Sequence, residues 1–469
     1  MLFRCKILSL KKTKIIVTLG PSSFEERVIL RMIREGVDGF RINFSHGTKE
    51  QWLEAVKIIR ECEEKTGILV SLIGDLQGPN VRVGFLENPV VLEKDKEVHL
   101  ILSDKSSEPN TIPIPCREFF EVLEEGDRVV FADGDAVVEI CEATFSEAIA
   151  RVVIEGKVSS RKSVSIDGKN IPLPPLTAKD KEDLKFAVEH DFSHIMLSFV
   201  RSRNHVRIAR RYLEKSGKSD LWIISKIETR EGVENLDEII DESNGIVVAR
   251  GDLGKHFPLE KIPAIQKKII EVARRRGRMV ILATQLLSSM IENPVPTRSE
   301  VVDVYNAVVE GSDALMLTNE TAIGKYPVAA VRWLRKIIEE AESSYEMRTI
   351  KPEFKDISYR FACGVVELAS SLNAKIIVYS MTGRTAEKIS LYRPPQGFFI
   401  GVPSNDTARR INILWGAFPI VVEAKDYLEG LNSTREALKA RGVIDYGDIL
   451  IETYRLSEEE SNIIKITRL

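Results

Sequence analysis

The chain has 469 residues, with 67 Lys and Arg against 70 Asp and Glu, and a formal net charge of −3. This length exceeds one ordinary hydrophobic core and predicts two or three domains. Because the charges nearly balance, we expect neither a nucleic-acid nor a membrane partner, and any anion must bind to a local cluster of basic residues.

The sequence shows no sign of secretion. The segment Met1–Leu10 is too short and too charged for a signal peptide, and no apolar run approaches the length of a membrane span. The five cysteines have no metal-like spacing, which suits a reducing compartment, so we predict a cytoplasmic protein. Charged residues reach 29% while glutamine occurs five times, a pattern that hints at a thermophilic source. The cysteines are Cys5, Cys62, Cys116, Cys141 and Cys363.

Short runs rich in Ile and Val alternate with stretches of helical period along most of the chain. Such runs, bounded by polar residues, are typical of fully buried parallel strands. Eight of them alternating with helices predict a closed (β/α)8 TIM barrel. The predicted strands are Lys14–Leu19, Gly39–Ser45, Ile68–Asp75, His194–Phe199, Leu221–Glu228, Gly245–Arg250, Arg278–Thr284 and Ala314–Glu320. The predicted helices include Trp52–Glu63, Ala264–Arg275 and Pro327–Glu340.

An open, doubly wound sheet is the structural alternative, and the spacing alone does not distinguish the two. An open sheet binds its ligand at one switch point, whereas here polar residues follow most of the strands, which favours the barrel. These residues are Arg41, Asn43, Ser45, Asp75, Lys226, Glu228, Asp252, Thr284 and Glu320.

The alternation stops after Pro79, and residues 80–175 form short strands separated by turns such as Asp133-Gly134 and Asp167-Gly168. This pattern predicts an inserted all-β module after the third strand. It ends in the proline-rich segment Ile171–Leu176, expected to be a stiff hinge. From its place above the catalytic face we predict a lid; a passive insertion is the alternative. Its predicted strands are Val90–Leu92, Val98–Leu102, Arg128–Phe131, Ala136–Glu139 and Ala148–Ile154.

A third segment begins after about Tyr345 and has the pattern of a compact α/β domain. Its first helix is predicted at Ile357–Ser371. We therefore divide the chain into a barrel of residues 1–79 and 176–344, an insertion of residues 80–175, and a C-terminal domain of residues 345–469. The predicted strands of the C-terminal domain are Lys375–Tyr379, Gly397–Val402, Phe418–Glu423 and Asp448–Thr453.

Charged residues of opposite sign end two neighbouring barrel strands. Lys226 and Glu228 close one strand, and Asp252 follows the next. In a parallel barrel the carboxyl ends of the strands build the active site. Two carboxylates there bind a hard divalent cation, and a lysine beside them meets an anionic substrate.

Eight strings of this sequence resemble those of the pyruvate kinase family, in the family's order. They are Lys14–Ser22, Arg41–Gly47, Asp75–Arg82, Ile224–Gly232, Ala249–Gly254, Ala283–Gln285, Met290–Arg298 and Met316–Ala322. The resemblance implies transfer of a phosphoryl group from phosphoenolpyruvate to ADP, giving pyruvate and ATP. It also implies Mg²⁺ or Mn²⁺ as cofactor and a homotetramer.

The resemblance assigns roles to residues at the strand ends. Glu228 and Asp252 match the ligands of the divalent ion. Lys226, Arg41 and Thr284 match the catalytic residues, which with Gly251 and Asp252 also bind the substrate. The residues that match nucleotide contacts are His46, Arg82 and Lys179.

The resemblance places a monovalent-cation site at Asn43, Ser45, Asp75 and Leu76. Here the chain departs from the potassium-dependent pattern, because Leu76-Gln77 replaces Thr-Lys and Asn80 replaces Glu. We therefore predict that K⁺ activates weakly or is not required. Thr318-Asn319, in place of the usual Ser-Gly, is a further departure.

The loop Thr382, Gly383, Arg384 and Thr385 follows a predicted strand and precedes a helix, an arrangement that can cradle a phosphate. In the family this region binds effectors. We expect either a phosphorylated effector here or an unused loop.

Two other functions remain open from the sequence. One is a Mg²⁺-dependent lyase or aldolase that makes a pyruvate enolate on a similar barrel. Lys226 and the inserted lid argue against it, since aldol chemistry needs neither a phosphoryl clamp nor a nucleotide cover. The other is a catalytically inactive metabolite sensor, which would have no need of Lys226, Glu228, Asp252 and Thr284 together.

Overall fold

The structure, a computed structural model, describes residues 11–132, 134–344, 356–455 and 462–469, without the side chain of residue 455. Three sequence predictions therefore lie outside the described residues: the segment Met1–Leu10 with Cys5, the turn residue Asp133 and the boundary at Tyr345. Among the described cysteines, Cys62, Cys116 and Cys141 are free. No described helix is both long enough and apolar enough to cross a membrane.

The first part of the chain builds three barrel strands and two outer helices. Helix boundaries follow from local chemistry: Thr48 and Gln51 form a capping box at the start of the second helix, and Gly67 ends it with a φ of 68°. The elements are β1 (Lys14–Thr18), α1 (Glu26–Arg34), β2 (Gly39–Asn43), α2 (Lys49–Thr66) and β3 (Ser71–Asp75).

An inserted β module follows β3, as predicted. Its main sheet has the order β13-β9-β10-β11-β6-β8 around a core of its own. The sequence predicted five of its strands and missed the shorter ones and the helix. The elements are β4 (Phe85–Leu86), β5 (Val90–Leu92), β6 (Glu97–Ile101), β7 (Lys105–Ser106), β8 (Thr111–Pro113), α3 (Arg117–Glu121), β9 (Arg128–Phe131), β10 (Ala136–Ala143), β11 (Glu147–Ile154), β12 (Gly156–Val158) and β13 (Val164–Ile166).

The chain then returns to the barrel and completes it. The elements are α4 (Ala178–Glu189), β14 (His194–Leu197), α5 (Arg203–Lys215), β15 (Trp222–Ile227), α6 (Arg230–Glu234), α7 (Leu236–Glu242), β16 (Gly245–Ala249), α8 (Arg250–His256), α9 (Ile262–Arg275), β17 (Met279–Ala283), α10 (Arg298–Val309), β18 (Ala314–Leu317), α11 (Asn319–Ala322) and α12 (Pro327–Ser344). Short 3₁₀ turns lie at Leu259–Lys261 and Ser288–Ile291.

Eight parallel strands close the barrel in the order β1-β18-β17-β16-β15-β14-β3-β2. Closure confirms the predicted (β/α)8 architecture and excludes the open sheet. Each strand is buried on both faces: on β1, Ile15 and Val17 pack against the outer helices, while Ile16 belongs to the interior core. This alternation follows from the two-residue period of a strand, and it directs polar residues at the strand ends inward as well.

The C-terminal segment is an α/β layer packed against the amino end of the barrel. Its sheet has the order β21-β20-β19-β22-β23, with the last strand antiparallel at the edge. One continuous core joins it to the barrel interior, where Ile16 and Val247 share a cluster with Val378 and Ile400. The elements are α13 (Ile357–Leu372), β19 (Lys375–Tyr379), α14 (Arg384–Leu391), β20 (Phe398–Val402), α15 (Asn405–Ile411), β21 (Ala417–Val421), α16 (Tyr427–Ala440), β22 (Ile449–Arg455) and β23 (Asn462–Arg468).

Candidate functional site

A polar cavity of about 360 Å³ lies between the carboxyl end of the barrel and the β module. The barrel lines it with charged residues from the ends of β2, β3 and β15 and from helix α8. The module contributes Asn80, Arg82, Ala132 and residues 161 to 163. The predicted site residues in its lining are Arg41, Asn43, Ser45, Asp75, Leu76, Arg82, Lys226, Glu228 and Asp252.

Arg41 and Asp75 form a buried ion pair at the base of the cavity. Nε of Arg41 donates to Oδ2 of Asp75 at 2.7 Å, and Nη1 donates to the hydroxyl of Thr18 at 2.9 Å. A second guanidinium nitrogen lies 2.5 Å from the same Oδ2. Two nitrogens on one carboxylate oxygen, together with the bond to Thr18, fix the guanidinium, whose remaining donors can face an anion.

Lys226 is the central cation of the cavity. Its Nζ lies 2.9 Å from Oε1 of Glu228, 3.5 Å from Oδ2 of Asp75, and donates to the hydroxyl of Ser198 at 2.9 Å. Burial alone would lower the pKa of Lys226, but the carboxylates of Asp75 and Glu228 outweigh it and raise the pKa. The side chain is therefore a fixed ammonium at neutral pH.

Glu228 follows Lys226 on the same face of the chain, since the intervening Ile227 packs outward against the helices. Its side chain is 1% exposed, and Oε2 accepts the backbone N–H of Phe199 at 2.7 Å. Burial raises the pKa of Glu228, against the attraction of Lys226. Apart from the ion pair with Lys226, Oε1 accepts no well-directed hydrogen bond. This buried oxygen therefore has capacity for a cation in the cavity.

Asp252 lies in the first turn of α8, at the end of the strand next to Glu228. Oδ1 is 2.9 Å from Nζ of Lys255, an ion pair across one helical turn. Burial alone would raise the pKa of Asp252, but Lys255 and Lys226 outweigh it and lower the pKa. Asp252 is therefore ionised and faces the same cavity as Glu228, which is the condition for sharing an ion.

Thr284 follows β17 and has a φ of 70°, a strained value for a β-branched residue. Its hydroxyl accepts the backbone N–H of Gly251 at 2.9 Å. Arg250 holds the loop by donating to the carbonyls of Thr284 and Gln285 at 2.8 and 3.0 Å. The structure thus brings Thr284 and Gly251 together as a pair beside Asp252, although neither lines the cavity itself.

The three residues predicted to contact the nucleotide have different surroundings in the structure. Arg82 lines the cavity and donates to the carbonyl of Arg161 at 2.9 Å. His46 is exposed nearby, and partial burial with the charges of Arg82 and Arg41 lowers its pKa. Lys179 is in α4 of the barrel, where Nζ contacts Asp183 and the carbonyl of Phe44, each at 2.6 Å. A movement of the β module would therefore not carry Lys179 into the cavity.

Several residues of the cavity were not predicted from the sequence. Ser198 and Phe199, at the end of β14, hold Lys226 and Glu228; they belong to a predicted strand end, which was the available signal. Arg161, Lys162 and Ser163 come from the β module. The adjacent basic pair 161–162 was visible in the sequence, but nothing local indicated that it faces the barrel.

Oxygens of three of the four residues of the predicted monovalent-cation site already have protein partners. Oδ2 of Asp75 is paired with Arg41, and the carbonyl of Leu76 accepts the hydroxyl of Ser198 at 2.8 Å. Oδ1 of Asn43 accepts the backbone N–H of Ser45 at 3.1 Å. Arg41 and Lys226 thus place two fixed positive charges beside this set of oxygens.

The C-terminal loop lies between β19 and α14, at the opposite end of the barrel. Gly383 has a φ of 80°, and its N–H donates to the hydroxyl of Ser380 at 3.1 Å. The carbonyl of Thr382 accepts Nη2 of Arg410 at 3.1 Å. Arg384 and Thr385 open α14, whose first turn has no side-chain cap.

The arrangement at the cavity fits a divalent ion shared with a substrate. Within the described ranges no three His, Cys, Asp or Glu side chains are grouped to enclose a metal. Glu228 and Asp252 offer two carboxylates on one side of an open space. Mg²⁺ commonly takes one or two carboxylates and completes its octahedron with substrate oxygens and water.

Comparisons with known proteins agree with this geometry. The family model described as "Pyruvate kinase, barrel domain" matches residues 10–331, and "Pyruvate kinase, alpha/beta domain" matches residues 360–467. The pyruvate kinase of Aeropyrum pernix is 43% identical over 459 residues, 97% of this chain and 98% of that protein. That of Thermotoga maritima is 36% identical over 448 residues, covering 95% and 96%.

Two solved structures are similar over nearly their whole length. The crystal structure of Pyrobaculum aerophilum pyruvate kinase has a TM-score of 0.88 at 32% identity, covering 97% of this chain and 99% of that one. The Cryptosporidium parvum enzyme has a TM-score of 0.92 at 32% identity, covering 98% and 97%. Two family models, relatives of nearly full length and a shared architecture lead to one conclusion: the chain belongs to the pyruvate kinase family and is a phosphotransferase with pyruvate kinase function.

Proposed function

We propose that the cavity transfers the phosphoryl group of phosphoenolpyruvate to ADP, giving pyruvate and ATP, with Lys226, Arg41 and Thr284 as catalytic residues. The observation that carries this assignment is the convergence of Lys226, Glu228 and Asp252 on one cavity at the carboxyl end of the barrel. Lys226 can attract the anionic groups of the substrate, and the two carboxylates can hold a metal ion that the substrate also binds.

Glu228 and Asp252 would hold the divalent ion, Mg²⁺ or Mn²⁺. When bound, the ion neutralises charge on substrate oxygens and orients them. The residues suit this role because Oε1 of Glu228 is buried without a well-directed hydrogen bond, and Asp252 faces the same space. Gly251 and Thr284, paired beside Asp252, would border the substrate carboxylate and the enolate carbon.

Lys226 and Arg41 would stabilise the negative charge of the transferring group. Both are fixed by Asp75, so neither needs to reorganise when charge develops, and such preorganisation is the main source of electrostatic catalysis. Lys226 would also stabilise the enolate oxygen left after transfer. Ser198 holds its Nζ in place.

The nucleotide phosphates would bind beside the basic residues of the β module. Arg82, Arg161 and Lys162 line the same side of the cavity, which gives three positive charges to a polyphosphate. His46 borders this region. Lys179 would contact the nucleotide only if its ion pair with Asp183 opened.

Potassium would be weakly activating or not required. Oxygens of three of the four residues of the candidate monovalent site accept protein donors, and Arg41 and Lys226 supply positive charge next to them. A further cation would have to displace these contacts.

A coupled assay tests the function directly. Phosphoenolpyruvate, ADP and Mg²⁺ with lactate dehydrogenase and NADH should give turnover that depends on all three. A lyase would release pyruvate from another substrate without ADP, and an inactive sensor would give no turnover. Either of those results would contradict the proposal.

A direct measurement of metal binding tests the proposed metal site without relying on turnover. Mn²⁺ titration followed by electron paramagnetic resonance should show one site that Glu228→Gln weakens strongly. The matched control is Glu231→Gln, a change three residues along the chain and outside the cavity lining. Equal Mn²⁺ affinity in parent, variant and control would contradict the proposed metal site.

Three further proposals follow from the family resemblance. A phosphorylated effector would bind at Thr382, Gly383, Arg384 and Thr385, and titration of phosphorylated metabolites at low phosphoenolpyruvate would reveal it; a flat response would favour an unused loop. The chain would form a homotetramer, measurable by light scattering. It would act in the cytoplasm, which localisation by microscopy checks.

A further inference from the structure

The segment that joins the β module back to the barrel has two separate anchors. Ile171 and Leu173 pack against the core of the module, whereas Leu176 belongs to the core of the barrel. Prolines at 172, 174 and 175 stiffen the chain between them. The boundary between module and barrel is therefore a short, stiff stretch, and whatever fixes residues 171–173 relative to the barrel also orients the module.

Arg201 provides that fixation. It lies on the loop after β14, and its Nη1 and Nη2 donate to the carbonyls of Ile171 and Leu173, each at 2.5 Å. The N–H of Leu173 donates to the carbonyl of Ile171 at 2.8 Å, closing a tight turn around Pro172. This turn presents two carbonyls to the planar guanidinium, whose forked donors suit a two-point contact.

The loop that carries Arg201 is itself tied to the site. The carbonyl of Arg201 accepts Nδ2 of Asn235 at 2.9 Å. Two residues earlier, Phe199 has a φ of 54° and its N–H holds Oε2 of Glu228 at 2.7 Å. One short loop thus grips both the end of the β module and a carboxylate of the cavity.

We propose that Arg201 is a positioning residue that sets the β module over the cavity, an inference that rests on the proposed nucleotide role of the module. Arg201 is outside the cavity lining, so its charge is not needed for substrate contact. Its loss would release residues 171–173, and Arg161 and Lys162 would then spend less time facing the nucleotide. The contacts of phosphoenolpyruvate, which come from barrel strand ends, would remain.

The test compares Arg201→Met with Arg203→Met. Arg203 is the matched control because it forms an exposed ion pair with Glu238 at 3.0 Å, on the helix that follows. Arg201→Met should raise the KM for ADP about tenfold, the change expected when a hydrogen bond to a charged group is lost. The KM for phosphoenolpyruvate should stay close to the parent value. Proteinase K should cleave faster at the residues that flank the prolines, within residues 166–170 and 176–180, as mapped by mass spectrometry.

Arg201→Lys is the second variant, and it carries the test if Arg201→Met does not fold. A single ammonium meets one carbonyl rather than two, so an intermediate KM for ADP and intermediate cleavage are expected. If Arg201 had a purely structural role, its loss would lower the melting temperature but leave the KM for ADP unchanged at assay temperatures well below melting. That result would overturn the inference. Unchanged cleavage would do the same. Failure of the parent protein to turn over phosphoenolpyruvate with ADP and Mg²⁺ would refute the proposed function instead.

Discussion

The two ends of the barrel both carry buried charges, but the surroundings of these charges differ between the ends. At the amino end, Arg393 pairs with Asp313 at 2.9 Å and donates to the carbonyl of Gly311, and Nζ of Lys14 donates to the carbonyl of Ala417 at 2.6 Å. The C-terminal layer covers these groups. At the carboxyl end, comparable charges border an open cavity.

Backbone strain occurs at both ends: Arg393 at the amino end has a φ of 53°, and residues at the carboxyl end are also strained. Phe199, Thr284 and Gln285 all have positive φ, and all follow carboxyl ends of barrel strands. Strain of this kind persists where the surrounding structure imposes it, commonly at functional sites. The comparison teaches that buried charge alone does not mark a site: charge closed over by protein stabilises the fold, and charge left facing a space is available for chemistry.

The sharpest test of this distinction is Lys226→Met at the carboxyl end. Turnover should fall by ~10²–10³ or more, since a preorganised charge at the transferring group is lost. Circular dichroism and the melting temperature should stay near those of the parent protein. Retained turnover would place Lys226 among the structural charges.

Asp313→Asn tests the opposite end. Removing one partner of a buried pair leaves Arg393 charged without its counter-ion and should lower stability by about 3–5 kcal/mol. Urea denaturation measures the loss, and the KM values should be unchanged. Asp191→Asn is the control, since its exposed pair with Lys218 should contribute less than about 1 kcal/mol. If Asp313→Asn caused a large loss of turnover without a loss of stability, the charges at the two ends would not differ in role as proposed.

The amino end should also make stability depend on pH. Burial, and after it the charge of Arg410, lowers the pKa of His194 from 6.5 to about 3. Below pH 6.5 the unfolded chain binds a proton that the folded chain does not, so stability falls as pH falls toward the folded pKa. The slope from this group is at most about 1.4 kcal/mol per pH unit. His194→Asn should flatten the slope measured by denaturation between pH 6 and 5, in about that proportion; an unchanged slope would contradict the assignment.

The smallest expected effect is that of K⁺ at the carboxyl end. Replacing Na⁺ by K⁺ at constant ionic strength should change the rate little, because Arg41 and Lys226 already provide positive charge beside Asp75. The coupled assay measures it. Activation of several hundredfold would mean that the cation site works despite these contacts.

Much of this molecule follows from the sequence by itself. Short runs rich in Ile and Val determine the eight barrel strands, and all eight observed strands lie within the predicted runs. Polar residues at the ends of those runs identify Lys226, Glu228 and Asp252, because parallel strands bring their carboxyl ends to one face. These are local signals, which a sequence can contain.

Only the tertiary structure decided which distant residues meet. Arg161 and Lys162 face the cavity because the β module folds back over the barrel, whereas Lys179, near the same hinge, is held by Asp183. The contact of Arg201 with residues 171 and 173 joins segments that have no shared period. Local patterns fix where a chain turns and which face is apolar. The partners of a charged side chain depend on how the domains pack against one another, and no local sequence pattern contains that information.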